Sequence, residues 1–77
     1  MDLALQELGF IKVKYYEYTL NVNKEVPTDL IVYLGVSDHN GKVSNNVFLD
    51  QRGVSIFLFD FDKIEQIDNL LKALKKG

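Results

Sequence analysis

The chain has 77 residues, 47% of them hydrophobic and 26% charged, with a net charge of −2 and no cysteine. This is the composition of one ordered domain, 1–77, and it excludes a disulfide framework and any thiolate metal site. The mild acidity also weighs against a nucleic-acid binder, whose affinity comes largely from neutralised phosphates.

Asp2 to Leu8 reads as a short helix, with Asp2 in capping position, Leu5 and Leu8 on one face and Gly9 at its end. From Phe10 to Val22 apolar and aromatic residues recur at almost every second position, but the alternation slips. Ile11, Val13 and Tyr15 form one series, and Tyr16, Tyr18, Leu20 and Val22 continue on the other parity. One strand with a bulge near Tyr15 and Tyr16 reconciles the two, because a bulge inserts one extra residue; the alternative is a strand whose two ends face different neighbours.

Asn23 to Asp29 is a loop around the only proline, Pro27. Leu30 to Ser37 is apolar on both parities, as a central strand would be. Asp38-His39-Asn40-Gly41 then carries Asn-Gly, the strongest short-range hairpin signal. The return strand, Lys42 to Asp50, alternates cleanly except for Phe48, which falls on the polar side. After the tight turn at Gln51-Arg52-Gly53, Val54 to Phe59 is again apolar on both parities. Asp60 or Asp62 is positioned to cap a final helix reaching Lys76. Its apolar residues Ile64, Ile67, Leu70, Leu71 and Leu74 fall on one face, and Lys72, Lys75 and Lys76 complement the dipole at its end.

The expected fold is therefore α+β: a four-stranded antiparallel β-meander, a C-terminal α-helix packed on one face, and a short N-terminal helix. The aliphatic series Leu30, Val32, Leu34 and Val54, Ile56, Leu58 suit the leucine-rich helix. Tyr33, Phe57 and Phe59 then point away from it, joined by Tyr15 or Tyr18. Four such rings carry roughly 600–1,000 Å² of surface, more than a soluble monomer usually leaves open in one patch. Two outcomes follow. Either the sheet curls round its aromatics as a partial barrel, or the face is covered by another protein. The expectation is a protein–protein interaction module that meets itself as a homodimer or small homo-oligomer, or serves as inhibitor or adaptor of a larger protein.

No enzyme is expected. The only histidine, His39, lies in a turn with no nucleophile or ligand set around it. Asp60 and Asp62 are explained by helix capping, the glycines do not form a phosphate loop, and no serine lies in a nucleophile elbow. Catalytic residues, metal ligands and cofactors are accordingly expected to be absent. The uncharged apolar run Val54 to Phe59 is far short of a membrane span. The acidic N-terminus, with Asp2 and Glu7, is unlike a secretory leader, so a cytoplasmic setting is the expectation.

The alternative reading is a single-stranded nucleic-acid or nucleotide-binding module. Lys12 and Lys14 lead into Tyr16 and Tyr18, and Lys42 and Arg52 flank turns of the sheet, so that rings can stack bases while cations hold phosphates. With Arg52-Gly53-Val54-Ser55-Ile56 before the last strand and helix, the four-strand-then-helix order resembles in topology the PC4-type single-stranded DNA-binding fold. The resemblance covers about half the chain and implies binding through the sheet. The chain lacks that family's basic bias, and its helix entry, Phe59-Asp60-Phe61-Asp62, is acidic.

Overall fold

The alternation slip at Tyr15 and Tyr16 marks a chain reversal. In the computed structural model, which describes residues 1–76 with side chains through Leu74, Tyr15 and Tyr16 form a two-residue turn. It separates β1 (Ile11–Lys14) from β2 (Glu17–Asn23), and Lys14 pairs with Glu17 across it. Neither tyrosine has positive φ, so this is not the primed turn that matches strand twist. A register shift between Lys12 and Lys14 takes up the misfit. The expected four strands are therefore five. The bulge is real, but it lies in β1 just before the turn.

The remaining strands are β3 (Thr28–Ser37), β4 (Val43–Gln51) and β5 (Val54–Phe61), preceded by α1 (Asp2–Glu7) and followed by α2 (Ile64–Lys76). The sheet is an antiparallel meander in the order β1-β2-β3-β4-β5. Because β1 and β5 are both edges, the sheet does not close into a barrel.

Local chemistry explains the turns. Asn23 Oδ1 accepts from the amides of Glu25 and Val26, which bends the chain ahead of Pro27. Asp38 Oδ1 accepts from Asn40 and Lys42, closing the hairpin over Gly41. At the β4–β5 turn Arg52 and Gly53 both have positive φ, 54° and 81°, as a type I′ turn requires. Gly35, with φ of 68°, sits in a bulge of β3, and its amide is held by the Asn45 side chain at 3.0 Å.

One face of the sheet is closed. Leu5 of α1 and Ile67 and Leu71 of α2 pack with Phe10, Tyr18, Leu30, Val32, Val47 and Phe61 into one buried cluster. Leu8, Leu20, Val22, Leu34, Leu49, Leu58, Phe59, Ile64 and Leu70 pack partly buried around it. The apolar stripe of α2 thus faces the sheet as its spacing predicts, although Leu74 is exposed. Lys72 pairs with Asp68 at 3.1 Å, while the side chains of Lys75 and Lys76 lie outside the described residues.

Three local expectations need correction. Neither Asp60 nor Asp62 caps α2 with its carboxylate. The Gln66 side chain at the third helical position instead reaches back to the amides of Asp62 and Lys63, the return half of a capping box. Asp60 accepts from the Asn46 side chain. Asp2 is likewise not the cap of α1, whose N-cap is Met1. Its carboxylate accepts from Gln6 and from the Tyr18 hydroxyl, the latter at 2.6 Å. Finally, Val54 and Ile56 are not covered by α2 and remain mostly exposed.

Candidate interaction face

Strand pairing assembles three rows of side chains on the face opposite the helices, since partners across an antiparallel ladder share a face. The middle row crosses all five strands: Ile11, Thr19, Ile31, Phe48 and Phe57. On one side of it lie Lys14, Glu17, Tyr33, Asn46 and Asp60. On the other lie Asn21, Asp29, Asp50 and Ser55.

The rings of this face touch in sequence. Tyr16 and Tyr33 have centroids 6.3 Å apart, Tyr33 and Phe48 meet edge to face at 5.6 Å, and Phe48 and Phe57 at 5.5 Å. Such contacts add to area burial and fix ring orientation. The ladder is half sunk in the sheet. Tyr33 and Phe48 are half-buried by their neighbours, while Tyr16 and Phe57 stand about half exposed at its ends. No described element of the chain covers it.

Of the expected interface residues, Tyr33 and Phe57 lie on this face and Tyr15 stands almost fully exposed at the β1–β2 turn. Phe59 does not. A register shift between Val47 and Phe48 inserts Leu58 as an extra residue of β5, so Phe57 faces outward and Phe59, paired with Val47, turns toward the helices. Tyr18 is also on the helix side. It pairs with Val32 and is 1% exposed, with its hydroxyl on Asp2. Its parity with Leu20 and Val22 already carried that information. The expected interface set omitted Ile11, Thr19, Ile31 and Phe48 of the middle row, and Tyr16 at the end of the ladder. Phe48 broke the polar series of β4, which is the mark of an apolar residue serving an outer face.

The electrostatics of the face are acidic. Glu17, Asp29, Asp50 and Asp60 border the apolar row, with Lys14 the single cation in the three rows. Asp29 and Asp50 are direct cross-strand neighbours, an arrangement that is destabilising for like charges. Among the described residues the ion pairs are Lys12 with Asp2 and Lys72 with Asp68, so none of the four border carboxylates is in one. Asn21 donates to Asp29 at 3.0 Å, which softens the repulsion without cancelling it. Burial, together with Glu17, Tyr16 and Asp50, raises the pKa of the Tyr33 phenol.

The residues of the nucleic-acid reading do not come together. Lys12 is on the helix side, 3.6 Å from Asp2 and over the Tyr15 and Tyr18 rings. Tyr18 is buried. Lys14, Tyr16 and Lys42 lie toward one end of the sheet, Arg52 at the other. The exposed rings are bordered by carboxylates that repel phosphate.

Elsewhere, His39 is exposed, and among the described residues no group of three or more His, Cys, Asp or Glu side chains is placed to hold a metal ion. Among the described residues no helix is long and apolar enough to cross a membrane. Comparison with protein-family models, with curated proteins and with solved structures finds no match to this chain.

Proposed function

We propose that this protein is a non-enzymatic interaction module that docks a protein partner on the outer face of its sheet, as an inhibitor or adaptor of a larger protein would. The observation that carries the reading is the uncovered apolar row from Ile11 to Phe57, set between two rows that bear carboxylates. An apolar centre with a polar rim is the anatomy of a binding surface. Four carboxylates without ion-pair partners among the described residues, two of them opposed, select a partner whose apolar anchors are flanked by lysine or arginine. They also disfavour stacking this face on the same face of a second copy, which would set acid against acid.

The test is a titration followed by amide resonances. The probes are a short amphipathic lysine–leucine peptide, a glutamate–leucine peptide of the same pattern, and oligothymidylate. The expected result is that the cationic peptide shifts Ile31, Tyr33, Phe48 and Phe57, more weakly in Asp29→Asn/Asp50→Asn. The anionic peptide and the oligonucleotide should leave them in place. An equal response to both peptides, or shifts confined to the helix side, overturns the reading. A response to oligothymidylate restores the nucleic-acid alternative in its place.

A further inference from the structure

The outer face has a direction. Its middle row, Ile11, Thr19, Ile31, Phe48 and Phe57, takes one residue from each strand and so runs across the sheet instead of along a strand. Five strands spaced about 4.8 Å apart make a line of roughly 19 Å. Its ends, Ile11 and Phe57, are 70% and 52% exposed, while Thr19, Ile31 and Phe48 between them are half-buried.

Carboxylates flank this line on both sides. Residues two apart on a strand are separated by roughly 7 Å, so each flanking row runs beside the middle row at about that distance. On one flank Asp29 and Asp50 are cross-strand partners, their Cα atoms about 4.5–5.5 Å apart. On the other, Glu17 of β2 and Asp60 of β5 stand three strands apart, roughly 14 Å. The complementary surface therefore has an apolar stripe in the middle and cations on either side of it.

An extended peptide does not have that form. It turns its side chains toward the sheet in single file and points the rest away, so it fills the row or reaches the carboxylates but does not do both. A helix laid along the strands covers Ile31 and Phe48 and leaves Ile11 and Phe57, on the two edge strands, bare. A helix laid across the strands has the right form. Its width of about 10–12 Å carries long side chains out over both flanking rows, and about 13 residues span the line.

We propose that the outer face binds an amphipathic α-helix of a partner protein, lying across the strands from β1 to β5 with its apolar stripe on the middle row and basic residues along both flanks. This rests on the docking role proposed above and gives the partner its shape. Two lysines or arginines three or four residues apart rise about 4.5–6 Å along such a helix, which suits Asp29 and Asp50. Cations two to three turns apart on its other flank suit Glu17 and Asp60.

The test uses two synthetic peptides of about 14 residues, long enough to span the row. Both carry leucines on one helical face and lysines on its two flanks, and the second has a central proline, which breaks the helix. Amide resonances of the protein follow the titration. The helical peptide should bind roughly tenfold or more tighter than the proline peptide. A nitroxide on one terminus of the helical peptide should broaden β1 or β5 most strongly, and one on the other terminus the opposite edge strand. Replacing the lysine pair that meets Asp29 and Asp50 with glutamine should weaken binding roughly threefold or more, and should change little in Asp29→Asn/Asp50→Asn. Equal binding of the two peptides overturns the helix. Broadening centred on one end of all the strands overturns its crosswise placement. With either result, shifts confined to the outer face leave the docking role itself standing. No shift on the outer face with either peptide overturns that role, and the helix with it.

Discussion

Both faces of this sheet carry apolar side chains and put them to different uses. On the helix side, Leu30, Val32 and Val47 are fully buried beneath α1 and α2. On the outer side, Ile31, Tyr33 and Phe48 occupy the neighbouring positions of the same strands and are only half-buried, by one another. Burial under a helix fixes the fold, whereas shelter within a row of rings leaves surface for a partner. Hydrophobicity alone therefore does not assign a role to a strand residue. What packs over it does.

The sharpest way to break the comparison is to truncate one residue on each face. Leu30→Ala should cost about 2–5 kcal/mol of folding stability, the usual range for a buried leucine. Phe57→Ala should cost roughly 0.2–1 kcal/mol, the worth of one cross-strand aromatic pair. Urea unfolding at fixed protein concentration measures both. Equal losses would mean that the outer face is part of the core.

A smaller and pH-dependent effect separates the two faces again. Burial and the hydrogen bond to Asp2 push the Tyr18 hydroxyl from the ordinary 10.0 up to about 12. A group whose pKa is raised on folding stabilises the fold fully below its unfolded value, and that contribution is lost as pH rises through the folded value. Melting temperature should therefore fall between pH 10 and 12, and by less in Tyr18→Phe. The same hydrogen bond, followed by those from Gln6 and the charge of Lys12, lowers the pKa of Asp2. Its contribution is present above the ordinary carboxylate range and is lost only as pH falls below that range.

The smallest effect concerns a turn that serves both faces. Arg52 occupies the left-handed region, which strains a side chain with a Cβ. Arg52→Asn should raise stability by about 1 kcal/mol, a residue that tolerates this region having replaced one that does not. Urea unfolding at fixed protein concentration measures it.

Much of this was legible in the sequence, because the signals were local. The helix stripe from Ile64 to Leu74, the Asn-Gly hairpin and the Arg52-Gly53 turn follow from spacing and turn chemistry alone. What was misread depended on register. A two-residue turn made of tyrosines carries none of the usual turn residues, so β1 and β2 read as one strand. The bulge at Leu58 shifts parity midway along β5, and no residue in Val54 to Phe59 announces it. Phe59 was therefore assigned to the wrong face. The candidate site was found only in part for the same reason. Tyr33 and Phe57 followed from parity, whereas the carboxylate borders appear only when four strands are laid side by side.

The meander order has a consequence for how the molecule is made. Each strand pairs with its neighbour in sequence, and the loops between strands span only two to five residues. Loop-closure entropy is then small at every step, and hairpins can zip onto one another as the chain emerges. Only the docking of α1 and α2 joins distant parts of the chain. β5 is the last strand to leave the ribosome, so the edge it presents is the final piece of the sheet to form.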